Sequence, residues 1–246
     1  MITSPALQDF LIGIITSIVT GLAVWLWQKI RQSQILNSNS KFFGLKLGDE
    51  CLVVLGQYRG QNATSHNDID SVVGAIKLIH EIGCRVKVAS SDKTIESPGD
   101  ITEFCIGGPG SNERTKIHLD TFLKDIQMNP YAHETAPLAI ITKKKTYKYE
   151  NGENEYAVLA KFKPKPNGKP VFLICGQTGF SNKGAVYFLE QNYNKGIKKK
   201  YGNGEFCLIV RVVSPWSYGH KSVEQVDDIT EIAFRNKNVS VPRKSG

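Results

Sequence analysis

The chain has 246 residues, 41% of them apolar and 22% charged, with 31 Lys and Arg against 23 Asp and Glu. Its formal charge of +8 and pI near 9.1 suit an anionic partner, whether lipid headgroups, a nucleotide or nucleic acid. The length suits one anchor plus one sizeable α/β domain, and no repeat of solenoid length runs through it. Five cysteines (Cys51, Cys84, Cys105, Cys175 and Cys207) are odd in number, lack metal-ligand spacing and lie in or beside apolar segments. They argue against a disulfide framework or a zinc site and for reduced, buried thiols in a cytosolic domain.

Phe10 to Trp27 are eighteen consecutive residues without a charge, followed by Gln28-Lys29-Ile30-Arg31, with Trp25 and Trp27 at the junction. At the helical rise this run spans ~27 Å, close to the hydrocarbon thickness of a bilayer. A signal peptide would place its cations before the apolar run and small residues after it. Here the order is reversed, so residues 1–31 are expected to form a single-pass anchor in the inner membrane. Lys29 and Arg31 assign the globular part to the cytoplasm. Gly13, Ser17 and Gly21 form an i, i+4 stripe of small residues with Thr16 and Thr20 beside it. Such a stripe lets helices pack closely into a homo-oligomer, although these residue types are also common in membrane helices generally. One anchor with one domain fits a sensor, effector or tethered enzyme better than a transporter.

Residues 32–41 are polar and rich in Asn and Ser, and read as a linker; the globular pattern begins at Phe42 and runs to Phe234. Cys51–Leu55 is a short apolar run with a buried-strand signature, ended by Gly56. Asp68 to Ile82 carries apolar residues at helical spacing and closes on Gly83. Strands are expected at Arg85–Ala89 and Glu103–Ile106, a helix at Asn112–Leu123 and a strand at Pro137–Thr142. Tyr147–Tyr149 and Tyr156–Phe162, separated by Asn151-Gly152, read as a β-hairpin insertion. Strand Val171–Cys175, a helix from Asn182 to about Lys199, strand Phe206–Val213 and a last helix Val223–Phe234 complete the series. Residues 235–246 form a basic tail. Strands alternating with helices imply a Rossmann-like α/β fold, its mostly parallel sheet covered on both faces.

Three strand ends concentrate the chemistry. Leu55-Gly56-Gln57 leaves the first strand, with Arg59 just beyond. Gly107-Gly108-Pro109-Gly110-Ser111-Asn112 leaves a second, followed by Arg114. Gly176-Gln177-Thr178-Gly179 leaves a third, before the longest soluble helix. In open α/β sheets ligands bind beyond the carboxyl ends of the strands, and glycines there let backbone amides approach a phosphate at a helix N-terminus. Equally, glycine marks tight βα turns that bind nothing. Neither Gly-rich loop is a Walker A motif, and neither matches G-x-G-x-x-G. Arg59 and Arg114 could pair bidentately with phosphate; Gln177, Thr178, Ser181 and Asn182 suit base or ribose groups. The histidines are scattered, and Asp68 and Asp70, like Glu224, Asp227 and Asp228, read as helix-opening residues rather than acid–base pairs. No catalytic residue, metal ligand or cofactor is expected. The basic runs Lys143–Lys145, Lys198–Lys200 and Arg235–Lys244 lack interleaved aromatics, which ranks nucleic acid last among partners.

The strand–Gly-Gly-Pro-Gly-Ser-Asn–helix segment resembles the signature loop of the SLOG superfamily, Rossmann-like domains that include the LOG nucleotide-processing enzymes and the Smf/DprA proteins. The particular resemblance is to its nucleotide-sensing, STALD-type branch. It implies that Gly107, Gly108, Gly110, Ser111 and Asn112 occupy phosphate-loop positions and that Gly56 ends the first strand. It further implies a signal nucleotide, cyclic oligonucleotide or ADP-ribose-derived, and an oligomerising membrane effector in antiphage defence. The enzyme branch carries P-G-G-x-G-T-x-x-E; here Ser111 and Asn112 follow Gly110, and Lys116 or Ile117 stands at the Glu position. A tethered nucleotide-processing enzyme is therefore the alternative, and a membrane-held nucleic-acid binder comes last.

Overall fold

A computed structural model describes residues 5–57, 64–94, 96–129 and 138–235. Helix α1 (Pro5–Phe43) is followed by β1 (Glu50–Leu55), α2 (His66–His80), β2 (Arg85–Ser90), β3 (Thr102–Ile106) and α3 (Glu113–Phe122). Three short strands come next: β4 (Ile126–Asn129), β5 (Ala139–Thr142) and β6 (Thr146–Lys148). The long β7 (Asn154–Phe162) and β8 (Val171–Gly176) lead to α4 (Gly179–Asn192), a π turn (Tyr193–Ile197) and α5 (Lys198–Tyr201). The chain ends in β9 (Phe206–Val213), α6 (Pro215–Tyr218), β10 (Val223–Asp228) and α7 (Thr230–Phe234).

Seven strands form one sheet in the order β10-β9-β7-β8-β3-β1-β2, and β4-β5-β6 form a small antiparallel sheet. The pairs β1–β2, β1–β3 and β3–β8 are parallel. β7 opposes β8 and β9, and β10 opposes β9, so β2, β1, β3, β8 and β9 share one direction. Both faces are covered, which is why β8 is a continuous apolar run rather than an alternating one. One face packs Val53, Phe104, Ile174 and Leu208 under α2, α4 and the end of α1. The other packs Leu52, Cys105, Leu173 and Ile209 against Leu119 and Leu123 at α3 and Ile229 and Ala233 near α7. All five cysteines are free and buried in these layers.

Residues 32–41, expected as a linker, instead continue α1 without a break. Asn and Ser are poor helix formers, but this stretch is fixed at its far end by packing, which overrides propensity. Phe42 and Phe43 are fully buried, meeting edge to face at 4.9 Å, and Phe43 lies 5.3 Å from Phe172. Asn39 donates to the Tyr193 hydroxyl and accepts from Lys198 Nζ at 2.8 Å. Gly44 then ends the helix at φ +66°, a conformation suited to glycine.

The expected last helix is also corrected, since Val223–Asp228 pairs with β9 as an edge strand, with a bulge between Gln225 and Asp227. Val223 and Val226 are spaced as on a helix, but an odd separation in a strand sends them to opposite faces. Val223 packs on one core and Val226 on the other. The hairpin insertion is formed by β5 and β6, not by the tyrosine strands as paired above; β6 joins the small sheet and β7 the large one. The expected helix from Asn182 to Lys199 begins earlier, at Gly179, and passes through the π turn at Tyr193.

Candidate functional site

β1, β3 and β8 are neighbours and parallel, so their three Gly-rich ends meet at one edge of the sheet. From β1 the chain crosses outward to β2; from β3 it continues toward β8. The cleft therefore sits at the point where the topology reverses, the usual place for a ligand in an open α/β sheet. It holds about 160 Å³, roughly ten times what a single water needs, which is room for a phosphate-sized group. Gly56 lines it from the first loop, Gly108, Pro109, Gly110 and Ser111 from the second, and Gly176, Gln177, Thr178 and Gly179 from the third. Thr64, Ser65, Asp68 and Asn182 contribute from the α2 and α4 starts, and Met128 and Leu138 from the small-sheet side.

Each loop runs into a helix whose first turn faces or adjoins the cleft. Ser65 caps α2 by accepting from Asp68 N, Asn112 caps α3 by accepting from Thr115 N, and Thr178 caps α4 by accepting from Ser181 N. Side-chain caps satisfy some of the end amides while leaving the aligned peptide dipoles pointing inward. The α2 and α4 starts line the cavity and that of α3 follows directly behind Ser111; such positive ends favour a negatively charged group. Among the described residues no Lys or Arg lines the cleft, so backbone and dipoles supply that attraction.

The glycines have a second physical role: they let the loops touch. A Cβ on Gly56 would stand 2.7 Å from Ser111 Oγ and 2.9 Å from Ser111 O; one on Gly108 would stand 3.1 Å from Gly176 O. Gly107 sits at φ +120°, a region that side chains disfavour. The contacts are tied by Gln57 N donating to Ser111 O at 2.7 Å and Gly176 N donating to Asn182 Oδ1 at 2.6 Å. Asn182 Nδ2 in turn donates to Asp68 Oδ1 at 2.8 Å, joining α4 to α2 across the cleft.

Other expected site residues are engaged elsewhere. Arg114 is not a ligand-facing cation: it is buried and bonds Glu103 through Nε at 3.0 Å and Nη2 at 2.7 Å. A buried carboxylate needs such a partner, and β3 supplies Glu103 directly beneath α3. Asn112 is fully buried, and besides capping α3 it donates to Ile106 O. Gln177 spends its amide on Tyr156 N and Tyr147 O. Thr178 bonds Glu155. Arg59 lies outside the described residues. Thr64, Ser65, Met128 and Leu138 were not picked out from the sequence. Ser65, three residues before Asp68, carried a cap signature that could have marked it. Met128 and Leu138 carried none, because only the placement of the small sheet brings them near.

Burial pushes the Asp68 carboxyl up against the opposing pull of Asn182 and Ser65. Burial likewise raises Glu155, and it drives the Cys175 thiol up to about 12, too high for a nucleophilic thiolate. A buried trio, Glu103, Cys105 and His118, brings its ligand atoms within 4.8 Å of one another. Glu103 is already bonded by Arg114 and by His118 Nε2 at 2.9 Å, so a cation there would face a guanidinium. The trio reads as a buried ion-pair cluster, not a metal centre.

Compared with known proteins, the chain matches no protein-family model and no curated protein.

Proposed function

We propose that the chain is a membrane-anchored receptor for a nucleotide-derived signal, an effector whose ligand binding drives assembly and perturbs the inner membrane. The single observation that supports this most is the convergence of the α2 and α4 starts and the Gly108–Ser111 loop on one cleft that lacks a lining Lys or Arg among the described residues. Such a cleft suits a phosphate held by amides and dipoles, while Asp68 offers an acceptor for a hydroxyl or amino donor of the same ligand. The SLOG resemblance supplies the branch, a second messenger of the cyclic oligonucleotide or ADP-ribose type and a place in antiphage defence, and Lys29 and Arg31 supply the cytoplasmic orientation. α1 is long and apolar enough to cross a membrane.

A second reading, a tethered nucleotide-processing enzyme, rests on Asp68, whose burial holds its carboxyl toward the protonated form inside the cleft. One experiment separates the two. Full-length protein in detergent is titrated by calorimetry with a panel of cyclic oligonucleotides, ADP-ribose and adenine nucleotides, and the ligand is then recovered and analysed. The receptor reading expects one class to bind and return intact. Leu138→Trp, which fills the cleft from a half-buried wall, should abolish the heat while leaving the melting temperature within a few degrees. Release of free base or phosphate instead supports the enzyme. No heat from any member of the panel overturns the nucleotide reading.

A further inference from the structure

The segment Tyr193-Asn-Lys-Gly-Ile-Lys-Lys-Lys-Tyr201 follows α4 on the side of the domain where α1 enters. Its first five residues form a π turn, a wider winding that frequently accompanies functional sites. Tyr193 and Ile197 point into the core, and Asn194, Lys195 and Gly196 are exposed. The turn faces α1 one to three helical turns beyond Trp27. Between them lies a groove lined by Arg31, Gln34, Ile35, Ser38, Asn194 and Lys198.

Two cations border this groove, and among the described residues neither has a carboxylate partner. Lys198 Nζ bonds only the neutral oxygens of Asn39, at 2.8 Å, and Asn194, at 2.6 Å. Arg31 rests over the Trp27 ring at 5.4 Å. By contrast, the neighbouring Lys200 pairs with Asp228. Partial burial lowers the Lys198 ammonium, a cost that an adjacent anion would offset. Arg31 stands about 6 Å past Trp27 along the helix, within the headgroup layer that adds roughly 5–8 Å to each side of the hydrocarbon.

We propose that the groove between α1 and the π turn is a docking site for the phosphate headgroup of an anionic phospholipid in the leaflet on the domain's side. The proposal rests on the reading of α1 as a membrane span. Charge complementarity and continuity with the span favour a lipid: the groove begins at Arg31, at headgroup depth, and runs along α1 to Ser38, about 17 Å past Trp27, away from the strand ends that form the cleft. A headgroup drawn into the groove from Arg31 toward Lys198 would fix how the domain sits on the surface.

The full-length chain is placed in nanodiscs of phosphatidylcholine containing about one quarter phosphatidylglycerol, released into detergent, and scored by native mass spectrometry for retained lipid. Phosphatidylglycerol should be retained over phosphatidylcholine. Arg31→Gln and Lys198→Gln should each lower that retention about fivefold, the effect of removing one cation near an anionic surface. Ser38→Trp, which fills the groove without changing charge, should lower it as far. Lys199→Gln, an equal charge change outside the groove, should leave it within twofold. Equal losses in Lys199→Gln and Lys198→Gln overturn the site in favour of diffuse attraction, and so does unchanged retention in Ser38→Trp. Alkaline carbonate extraction of native membranes tests the underlying reading separately. A chain that washes off overturns both the span and the groove, whereas a chain that stays while showing no lipid preference overturns the groove alone.

Discussion

Arg114 illustrates how burial decides what a charged side chain does. Its position after a Gly-rich turn suggests a phosphate ligand, yet both its guanidinium contacts go to Glu103, which is also held by His118. Burial raises the Glu103 carboxyl, but His118 and Arg114 together outweigh it and hold it below its ordinary value. Arg114→Ala should therefore act on stability, costing about 3–5 kcal/mol by leaving a buried carboxylate without its main partner. Urea unfolding reads this as a lowered midpoint, and Glu103→Gln with Arg114→Met should recover most of it. A normal midpoint in Arg114→Ala would contradict this account. Lys161 presents the opposite case. It is buried beneath the end of α1, its Nζ 4.3 Å from the Phe42 ring centre and bonded to Asn203 O. Burial, aided by Lys163, pulls its ammonium from 10.5 down to about 7. The folded pKa is lower than the unfolded one, so the penalty is complete below pH 7 and fades as pH rises toward 10.5. Lys161→Met should thus stabilise the protein by on the order of 1–3 kcal/mol at pH 6. Melting curves should show that gain shrinking steadily to pH 10, and a gain independent of pH would sink the explanation.

At the scale of elements, α1 is the main surprise. A polar stretch between an apolar span and a domain reads as a hinge, but here Phe42, Phe43 and Asn39 fasten one end into the core. The helix becomes a stalk that turns with the domain. Gln32→Pro should break it, because proline removes one helical bond and its ring clashes a turn back, at about 3 kcal/mol. The full chain should stay in the membrane and its domain should stay folded, while trypsin gains access at Lys29 and Arg31. Unchanged cleavage would mean that the stretch is already loose. The stalk was illegible because the anchoring phenylalanines start what looks like the domain and only tertiary contact reveals them. The Gly-rich loops were legible because the topology of a parallel sheet forces the ends of β1, β3 and β8 together. What those loops need glycine for was only half legible: Gly56 and Gly108 admit a neighbouring loop, as well as leaving backbone exposed to a ligand. The edge strand β10 was misread because apolar spacing of three serves a helix and a two-faced strand alike.

For the whole molecule, the two ends of the sheet have different surroundings. Gly44, at the foot of α1, accepts from Thr102 Oγ1 at the start of β3 and from Lys169 Nζ just before β8, so the stalk meets the strands where they begin. The cleft lies where they end, about 20 Å away for a strand of six residues. With α1 as a membrane span, a ligand in the cleft would lie at the far end of the strands from the bilayer, and on the proposed receptor reading its signal would travel through the domain or through assembly of several copies. Copies carrying +8 each repel one another at low salt, and an anionic ligand reduces that repulsion. A ligand shifts assembly only if it binds the assembled form more tightly than the free one. On the proposed receptor reading, full-length protein in detergent should accordingly move from small to large species in ultracentrifugation when a nucleotide that binds the cleft is added. Raising the salt toward 0.5 M should promote the same shift partially without ligand, through screening alone. Along α1, Ser17 and Thr16 already bond their own helix, to Gly13 O and Ile12 O. Helix contact would therefore rest on close backbone approach at Gly13 and Gly21, where a Cβ meets nothing in the single chain. Gly13→Leu with Gly21→Leu should leave nucleotide affinity and domain assembly intact but reduce cross-linking between membrane helices and the ligand-dependent leakage of dye from vesicles. Leakage that persists at the wild-type rate would place the membrane action on another face of α1.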